Sequence, residues 1–455
     1  MKLARIAACG IFALAAILLA SSYSFLQARF RQPNAEYKAR RDSLRATIDG
    51  PVVLFGYTSR QDTGEVAVFF QEENFYYLTG YSEPDAALLL IPDAPNGKPV
   101  EGPSEILYLP PRDPRAALWN GPQIGPDDPD VAERTGFDTV RPFADLKSNL
   151  ATLAKTFPNF YTLLPKGPEN GYPHLTVWSD WVRAAVPNAS VRDVTSVLTN
   201  MREVKSAGEL ALMQKAIDAS IDAQLDAMKT MHPGLYEYQV AARMKMIHEM
   251  EGCSREAYAP IVGAGFFSTV LHYDRLDNEI KDGDVVVMDV GGEYGGYAAD
   301  ITRTVPANGK FTPRQREIYD IVYGAQSAVL DAIKPGVYFH SGSNSLQEIA
   351  YNYINTHGRD RNGKPLGQYF IHGIGHGLGL DVHDPTDYNR PLRAGMVITD
   401  EPGIYIPEEN LGVRIEDDIL VTADGHQLLT ARLPRTADAV EKIMADAHAQ
   451  TQPKP

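Results

Sequence analysis

Five side chains with metal-binding chemistry, Asp289, Asp300, His376, Glu401 and Glu416, are scattered through the second half of the 455-residue chain. Each sits in a short apolar or glycine-rich segment able to present it. Four carboxylates and one neutral imidazole carry a formal charge of minus four, which two divalent cations would cancel. Oxygen-rich ligation with a single imidazole suits Mn2+, with Co2+, Zn2+ or Fe2+ as alternatives, in a hydrolytic role. No cysteine cluster points instead to structural zinc.

The surrounding segments predict how these residues meet. Residues 284–290 form an apolar run containing Asp289, a glycine-rich stretch follows at 291–296, and a second strand carries Asp300, Ile301, Thr302, Arg303 and Thr304. Pairing of the two runs as a hairpin would set Asp289 beside Asp300, eleven positions on, and two facing acids are unfavourable without a cation between them. In HGIGHGLGLDVHD (372–384), three imidazoles lie among glycines that let the backbone approach a ligand closely. No register supplies the third glycine of a dinucleotide cradle. His376 reads as a metal ligand and His383 as a substrate contact, while His372 reads equally well as structural. Residues 397–405 place Glu401 where a strand ends at Pro402-Gly403. Residues 412–418 put Arg414 and Glu416 on one face of a strand by period two, with Leu411, Val413, Ile415, Ile419 and Val421 as its core-facing pattern.

Length and 44% hydrophobic content allow two or three domains with sizeable cores, and the formal net charge of −15 disfavours nucleic acid as a partner. Lys2 and Arg5 precede an uncharged, mostly apolar run at 6–20 followed by Ser21, Ser22, Tyr23 and Ser24, the order of a signal peptide. Ala20 and Ser22 supply small residues for cleavage before Tyr23, giving an exported protein, periplasmic or extracellular. Uncleaved, residues 6–26 would tether the protein to a membrane with its body outside the cytoplasm. Removal of Cys9 with the leader would leave Cys253 alone, so the fold rests on its core rather than on disulfides.

Apolar runs at 52–55, 65–70, 75–78, 86–91 and 106–109 read as strands, and 36–48 and 145–154 as helices, giving an N-terminal α/β domain over 36–195 after a leader or anchor at 1–30. The Pro/Gly/Asp-rich stretch 110–130 reads as a long surface excursion. Ser206 and Glu209 form a capping box that opens a helix through about Met231, with a core stripe of Leu210, Met213, Ile217, Ile221, Leu225 and Met228. His232-Pro233-Gly234 ends it, a second helix covers 237–251, and the second domain runs over 200–445.

The order Asp, Asp, His, Glu, Glu resembles that of the pita-bread metallopeptidases, the group containing aminopeptidase P, prolidase and methionine aminopeptidase. The resemblance rests on VVVMDVGGEYGGYAADITRTVPANGKFTPRQREIYDIV (285–322), HGIGHGLGLDVHD, ITDEPGIYIP (398–407) and GVRIEDDILVT (412–422), and spans about residues 200–435. FFQEENFYYLTGYSEPDAALLLIP (69–92) is similar to the domain that precedes the catalytic one in aminopeptidase P and prolidase, which methionine aminopeptidases lack. One departure is Phe267-Ser268-Thr269, where the family often has a Gly/Asn-containing turn ahead of the position matched by His272.

The resemblance implies an α/β (α+β) chain with a C-terminal pita-bread domain. It implies Asp289 as ligand of one metal, His376 and Glu401 as ligands of the other, and Asp300 and Glu416 as bridging ligands. His272 and His383 match catalytic-site histidines, Arg414 matches an arginine that orients the metal-site carboxylates, and Glu401 is the candidate general acid/base. The implied activity is release of the first residue from peptides with proline in the second position, by attack of a hydroxide held between two metals. A prolidase restricted to Xaa-Pro dipeptides shares every ligand but needs a cationic or hydrogen-bonding group to capture the proline carboxylate; of the arginines, Arg303 and Arg414 lie in the metal-binding segments, Arg414 already matched to the metal-site carboxylates, and Arg390 and Arg393 follow His383 closely. A pita-bread protein that only binds peptides or proteins would be expected to have lost ligands, and all five are present. Homo-oligomerisation is compatible with the sequence.

Overall fold

The computed structural model describes residues 31–58, 69–92 and 101–451; the proposed leader, and part of the strand expected at 65–70, lie outside the described residues. The chain divides into two compact units, Met1–Met201 and Arg202–Pro455.

The first unit is built on six strands, β1 (Val52–Phe55), β2 (Ala87–Leu90), β3 (Glu105–Leu109), β4 (Val140–Pro142), β5 (Asn159–Thr162) and β6 (Ser190–Asp193). They pair in the order β4-β3-β2-β1-β5-β6, antiparallel around β2 and parallel towards both edges. Val53, Phe55, Leu89, Ile106 and Tyr108 pack with Leu146 and Leu150 of helix α3 (Leu146–Leu153) and Trp178 and Val182 of α4 (His174–Ala185). These helices follow α1 (Asn34–Thr47), whose fully buried Arg41 forks onto the Glu105 carboxylate at 2.8 and 3.1 Å. Residues 75–78 form no strand: they lie in α2 (Glu73–Thr79), opened by Glu72 accepting from the Phe75 amide at 2.6 Å and closed by Gly80 at φ 61°. Phe69 and Phe70 are not in a strand either, and the 110–130 excursion contains a short helix, Ala116–Asn120.

In the second unit, α5 (Ala207–Thr230) opens on the Ser206–Glu209 capping box. Met213, Ile217, Ile221 and Met228 of its stripe are fully buried, whereas Leu210 and Leu225 are half-buried. Helix α6 (Glu237–Met250) packs against α5, and α7 (Pro313–Ala332) against α8 (Leu346–His357). The site rests on three groups of strands. β7 (Ile261–Ala264), β8 (Val285–Asp289) and β9 (Thr302–Pro306) form one antiparallel sheet with β8 central. β10 (Val397–Asp400) pairs with β13 (Asp417–Val421), and β11 (Gly403–Ile406) with β12 (Leu411–Arg414).

Candidate metal centre

Each acid sits where a strand ends. Asp289 closes β8, flanked in register by Ile261 and Thr302, so the strands around the glycine-rich stretch do pair. The connection is longer than a hairpin turn, because Gly292–Tyr294 and Tyr297–Ala298 form a small ladder of their own, and Asp300 lies just before β9 rather than within it. The expected single strand carrying Arg414 and Glu416 is corrected: the ladder breaks after Arg414 and resumes at Asp417 in another sheet. Both ladders keep one register across the break, so Glu401 falls opposite Glu416 and Pro402 opposite Ile415. Proline has no N–H for the ladder, which frees both glutamates to turn inward.

His376 reaches the same point from a loop laid along β10. The Thr399 amide donates to the His376 carbonyl at 2.9 Å, the Glu401 amide to the Ile374 carbonyl at 2.9 Å, and the Leu378 amide to the Val397 carbonyl at 3.0 Å. Gly375 permits this closeness: a Cβ there would lie 2.2 Å from the Thr399 carbonyl oxygen. His376 Nδ1 donates to the Gly377 carbonyl at 3.0 Å, which fixes the tautomer that aims the Nε2 lone pair inward. Nε2 lies 3.3 Å from Asp300 and 3.5 Å from Glu401. Asp300, His376 and Glu416 each offer one ligand atom within 4.8 Å of the others, and this donor set fits a divalent cation.

A hydrogen-bonded frame holds the acids. Arg414, buried, donates to Asp289 at 2.6 Å, to the Tyr405 hydroxyl at 2.9 Å and to the Thr302 hydroxyl at 3.1 Å. Thr302 in turn donates to Glu416 at 2.6 Å. The Tyr258 hydroxyl lies 2.6 Å from both Asp289 and Asp300, and its single proton satisfies one of them at a time. His372 is neutral, its pKa pushed down to about 4 by burial and by the Arg414 charge, and its Nε2 accepts from Tyr405 at 2.8 Å. It braces the frame.

The buried acids lack sufficient counter-charge. Burial, then the charge of Asp300, pushes Glu416 well above the carboxylate range; burial also raises Asp289 against the opposing pull of Arg414. Burial lifts Glu401 to about 7 despite His376. Burial opposes protonation of His376, but the hydrogen bond and charge of Asp300 outweigh it and raise the imidazole to about 9. Protons collect where the carboxylates need counter-charge.

All five proposed ligands line a cavity of about 850 Å³, together with His272, His372, His383 and Arg414. His272 and His383 are exposed, and the His383 ring stands 4.2 Å from that of His376. Burial and the neighbouring His376 lower the His383 pKa. The prolidase candidates fall elsewhere. Arg303 is fully buried on Asp417 and four carbonyl oxygens; Arg390 and Arg393 both bind Glu203. Sequence reading missed Tyr258, Tyr388 and His340, which also line the cavity; the His340 ring lies tilted against that of Tyr388, 5.0 Å between ring centroids. No motif flags them, since isolated aromatics carry no spacing signal.

Buried carboxylates converging on one imidazole at the floor of a solvent-reached cavity define a metal-dependent hydrolase. Comparison with known proteins narrows this. The sequence profile of metallopeptidase family M24 matches residues 211–423, and that of the aminopeptidase P N-terminal domain matches residues 37–161. Xaa-Pro aminopeptidase of Haemophilus influenzae is 34% identical over 443 residues, covering 90% of this chain and 97% of the relative. Human Xaa-Pro aminopeptidase 3 is 33% identical over 457 residues, covering 90% and 86%. Among solved structures, Pseudomonas aeruginosa aminopeptidase PepP matches with a TM-score of 0.81 at 33% identity, over 92% of this chain and 100% of the other. Escherichia coli aminopeptidase P with the inhibitor Pro-Leu matches at 0.80 and 30% identity, over 92% and 100%. The chain belongs to metallopeptidase family M24, as a metallo-exopeptidase with an aminopeptidase P-type N-terminal domain ahead of a pita-bread catalytic domain.

Proposed function

We propose that this metallopeptidase releases the first residue from peptides with proline in the second position and leaves the rest of the chain intact. The observation that carries the reading is that Arg414 is the only arginine among the described residues lining the cavity, and each of its three nitrogens already donates to Thr302, Tyr405 or Asp289. A dipeptidase needs a cationic or hydrogen-bonding group to close the pocket on the proline carboxylate, whereas an aminopeptidase leaves an exit for the continuing peptide. The names of the relatives support the same substrate class.

Asp289, Asp300, His376, Glu401 and Glu416 would hold two divalent ions, Mn2+ before Co2+, Zn2+ or Fe2+. The ions, when bound, make water nucleophilic near neutral pH and polarise the scissile carbonyl. Glu401, drawn towards neutrality by burial, suits the shuttle that delivers a proton to the leaving proline nitrogen. His272 and His383 flank the cavity and would donate to the peptide, while Arg414 holds Asp289 in place. The test is mass-spectrometric: chelator-stripped protein should leave Xaa-Pro-Yaa peptides intact, and added Mn2+ or Co2+ should restore release of Xaa. Full activity in protein shown by elemental analysis to be metal-free would end the proposal. Export is part of the same reading, on the basic, apolar and small-residue order of residues 2–24. N-terminal sequencing from the native envelope should begin at Tyr23; an intact Met1 on soluble cytoplasmic protein would refute it.

A further inference from the structure

The first residues of the catalytic unit do more than lead into α5. Arg202 closes a helix, Thr195–Arg202, and the next three residues bring two further buried charges, Glu203 and Lys205. All three face one loop. Arg202 donates to Asp384 at 2.6 Å and to Asp381 at 2.7 Å, and Lys205 donates to the other Asp384 oxygen at 3.1 Å. Glu203 accepts from the Asp387 amide at 2.6 Å and pairs with Arg390 and Arg393. The Lys205 amide donates to the Gly395 carbonyl at 2.9 Å, and a Cβ on Gly395 would lie 2.7 Å from Val204. Four consecutive residues thus bind the whole segment 381–395.

That segment carries His383. The Asp384 carboxylate, its side chain 1% exposed, also receives the Asp381 amide at 3.2 Å, and the Asp384 amide returns to the Gly377 carbonyl at 2.9 Å. Gly379 makes room for it: a Cβ there would lie 2.7 Å from an Asp384 carboxylate oxygen. The loop is therefore folded around one buried carboxylate neutralised by two cations, and the result is an exposed His383 ring held 4.2 Å from His376.

We propose that residues 202–205 are a positioning strap, in which Arg202 and Lys205 act through Asp384 to hold His383 over the metal centre. A buried ion cluster is weak evidence for added stability, and on this proposal its part is to specify one arrangement of the loop. The role of His383 in turnover rests on the reading under Proposed function; the position of its ring does not.

The experiment has two arms. In metal-loaded full-length protein, Lys205→Met and Asp384→Asn should each lower kcat/KM for an Xaa-Pro-Yaa tripeptide by about tenfold or more, with bound metal per chain unchanged. His383→Ala should lower it too, and the double variants with His383→Ala should fall no further than His383→Ala alone, because the strap acts only through that ring. Losses that simply multiply in the double variants would make the cluster structural and overturn the proposal. The second arm is independent of activity. Crystal structures of Lys205→Met and Asp384→Asn should show the His383 ring displaced from His376, and a ring still at 4.2 Å in both would overturn the proposal whatever the enzyme cleaves. Lys205→Met keeps Arg202 on Asp384 and serves where Asp384→Asn fails to fold.

Discussion

If the proposed ligands hold the metal, protons and divalent cations compete for the same atoms, and pH is the perturbation that measures the competition. In the protein's own field His376 titrates near 9, burial being outweighed by Asp300 and Glu401, and burial raises Glu401 to about 7. A cation ligates the unprotonated nitrogen and the carboxylate, so it displaces these protons. Between pH 9 and 7 one proton must leave, and apparent metal affinity should fall about tenfold for each unit of acidification. Below 7 Glu401 joins, and the slope should steepen to about a hundredfold per unit. From pH 9 to pH 6 the two regimes compound to a loss on the order of ten thousandfold, roughly 5.5 kcal/mol at 1.36 kcal/mol per unit. Asp289 and Glu416, raised by burial, can only add to this. Calorimetric titration of metal-free protein with Mn2+ in two buffers of different ionisation enthalpy counts the protons directly. At least one should be released at pH 8 and two or more at pH 6. Release near zero at both would refute the picture of a protonated His376–Glu401 pair yielding to the metal.

Three substitutions separate roles within the frame. Arg414→Met should cut kcat/KM by about 10–100-fold at saturating metal while elemental analysis finds the ions still bound, because Asp289 loses its 2.6 Å partner but keeps its place at the end of β8; unchanged kinetics would contradict this. Arg303→Met should destabilise the fold by about 3–5 kcal/mol through the uncompensated Asp417, read as a fall in Tm, without altering tripeptide-over-dipeptide preference; a changed preference would make Arg303 a substrate contact after all. Gly412→Ala would place a Cβ 1.9 Å from the Ser268 carbonyl oxygen, so Tm should drop by several degrees, at about 2–4 °C per kcal/mol for a domain this size, and an unchanged Tm would contradict that packing.

The candidate metal centre was legible because carboxylates in apolar runs are chemically conspicuous: a turn or cap role for Asp289 and a surface ion pair for Glu416 leave two facing acids and a core strand's acidic face without counter-charge. The paths between them were less visible. Residues 411–421 read as one alternating strand, and all five apolar positions are indeed buried, yet the chain changes sheets at Ile415-Glu416 because its partner carries Pro402 opposite. That break depends on a strand pairing that period-two counting cannot see. In the first unit, Phe75, Tyr76, Tyr77 and Leu78 looked like a buried strand, since a short apolar run has no period; the cap at Glu72 and the left-handed Gly80 decide for a helix. His340 and Tyr388 reach the cavity through tertiary contacts alone. Arg390 and Arg393 follow His383 closely in sequence, but Glu203, some 190 residues away, claims both.

On the proposed function, the cavity of this M24 metallopeptidase accepts a peptide that continues beyond proline. The most direct test is the ratio of kcat/KM for Xaa-Pro-Yaa tripeptides to that for the matching Xaa-Pro dipeptides, measured on the metal-loaded enzyme at fixed pH. With Arg303, Arg390, Arg393 and Arg414 all engaged by other partners, the tripeptide should be the better substrate. A clear preference for the dipeptide would mean that some group captures the proline carboxylate, and the chain would be a prolidase.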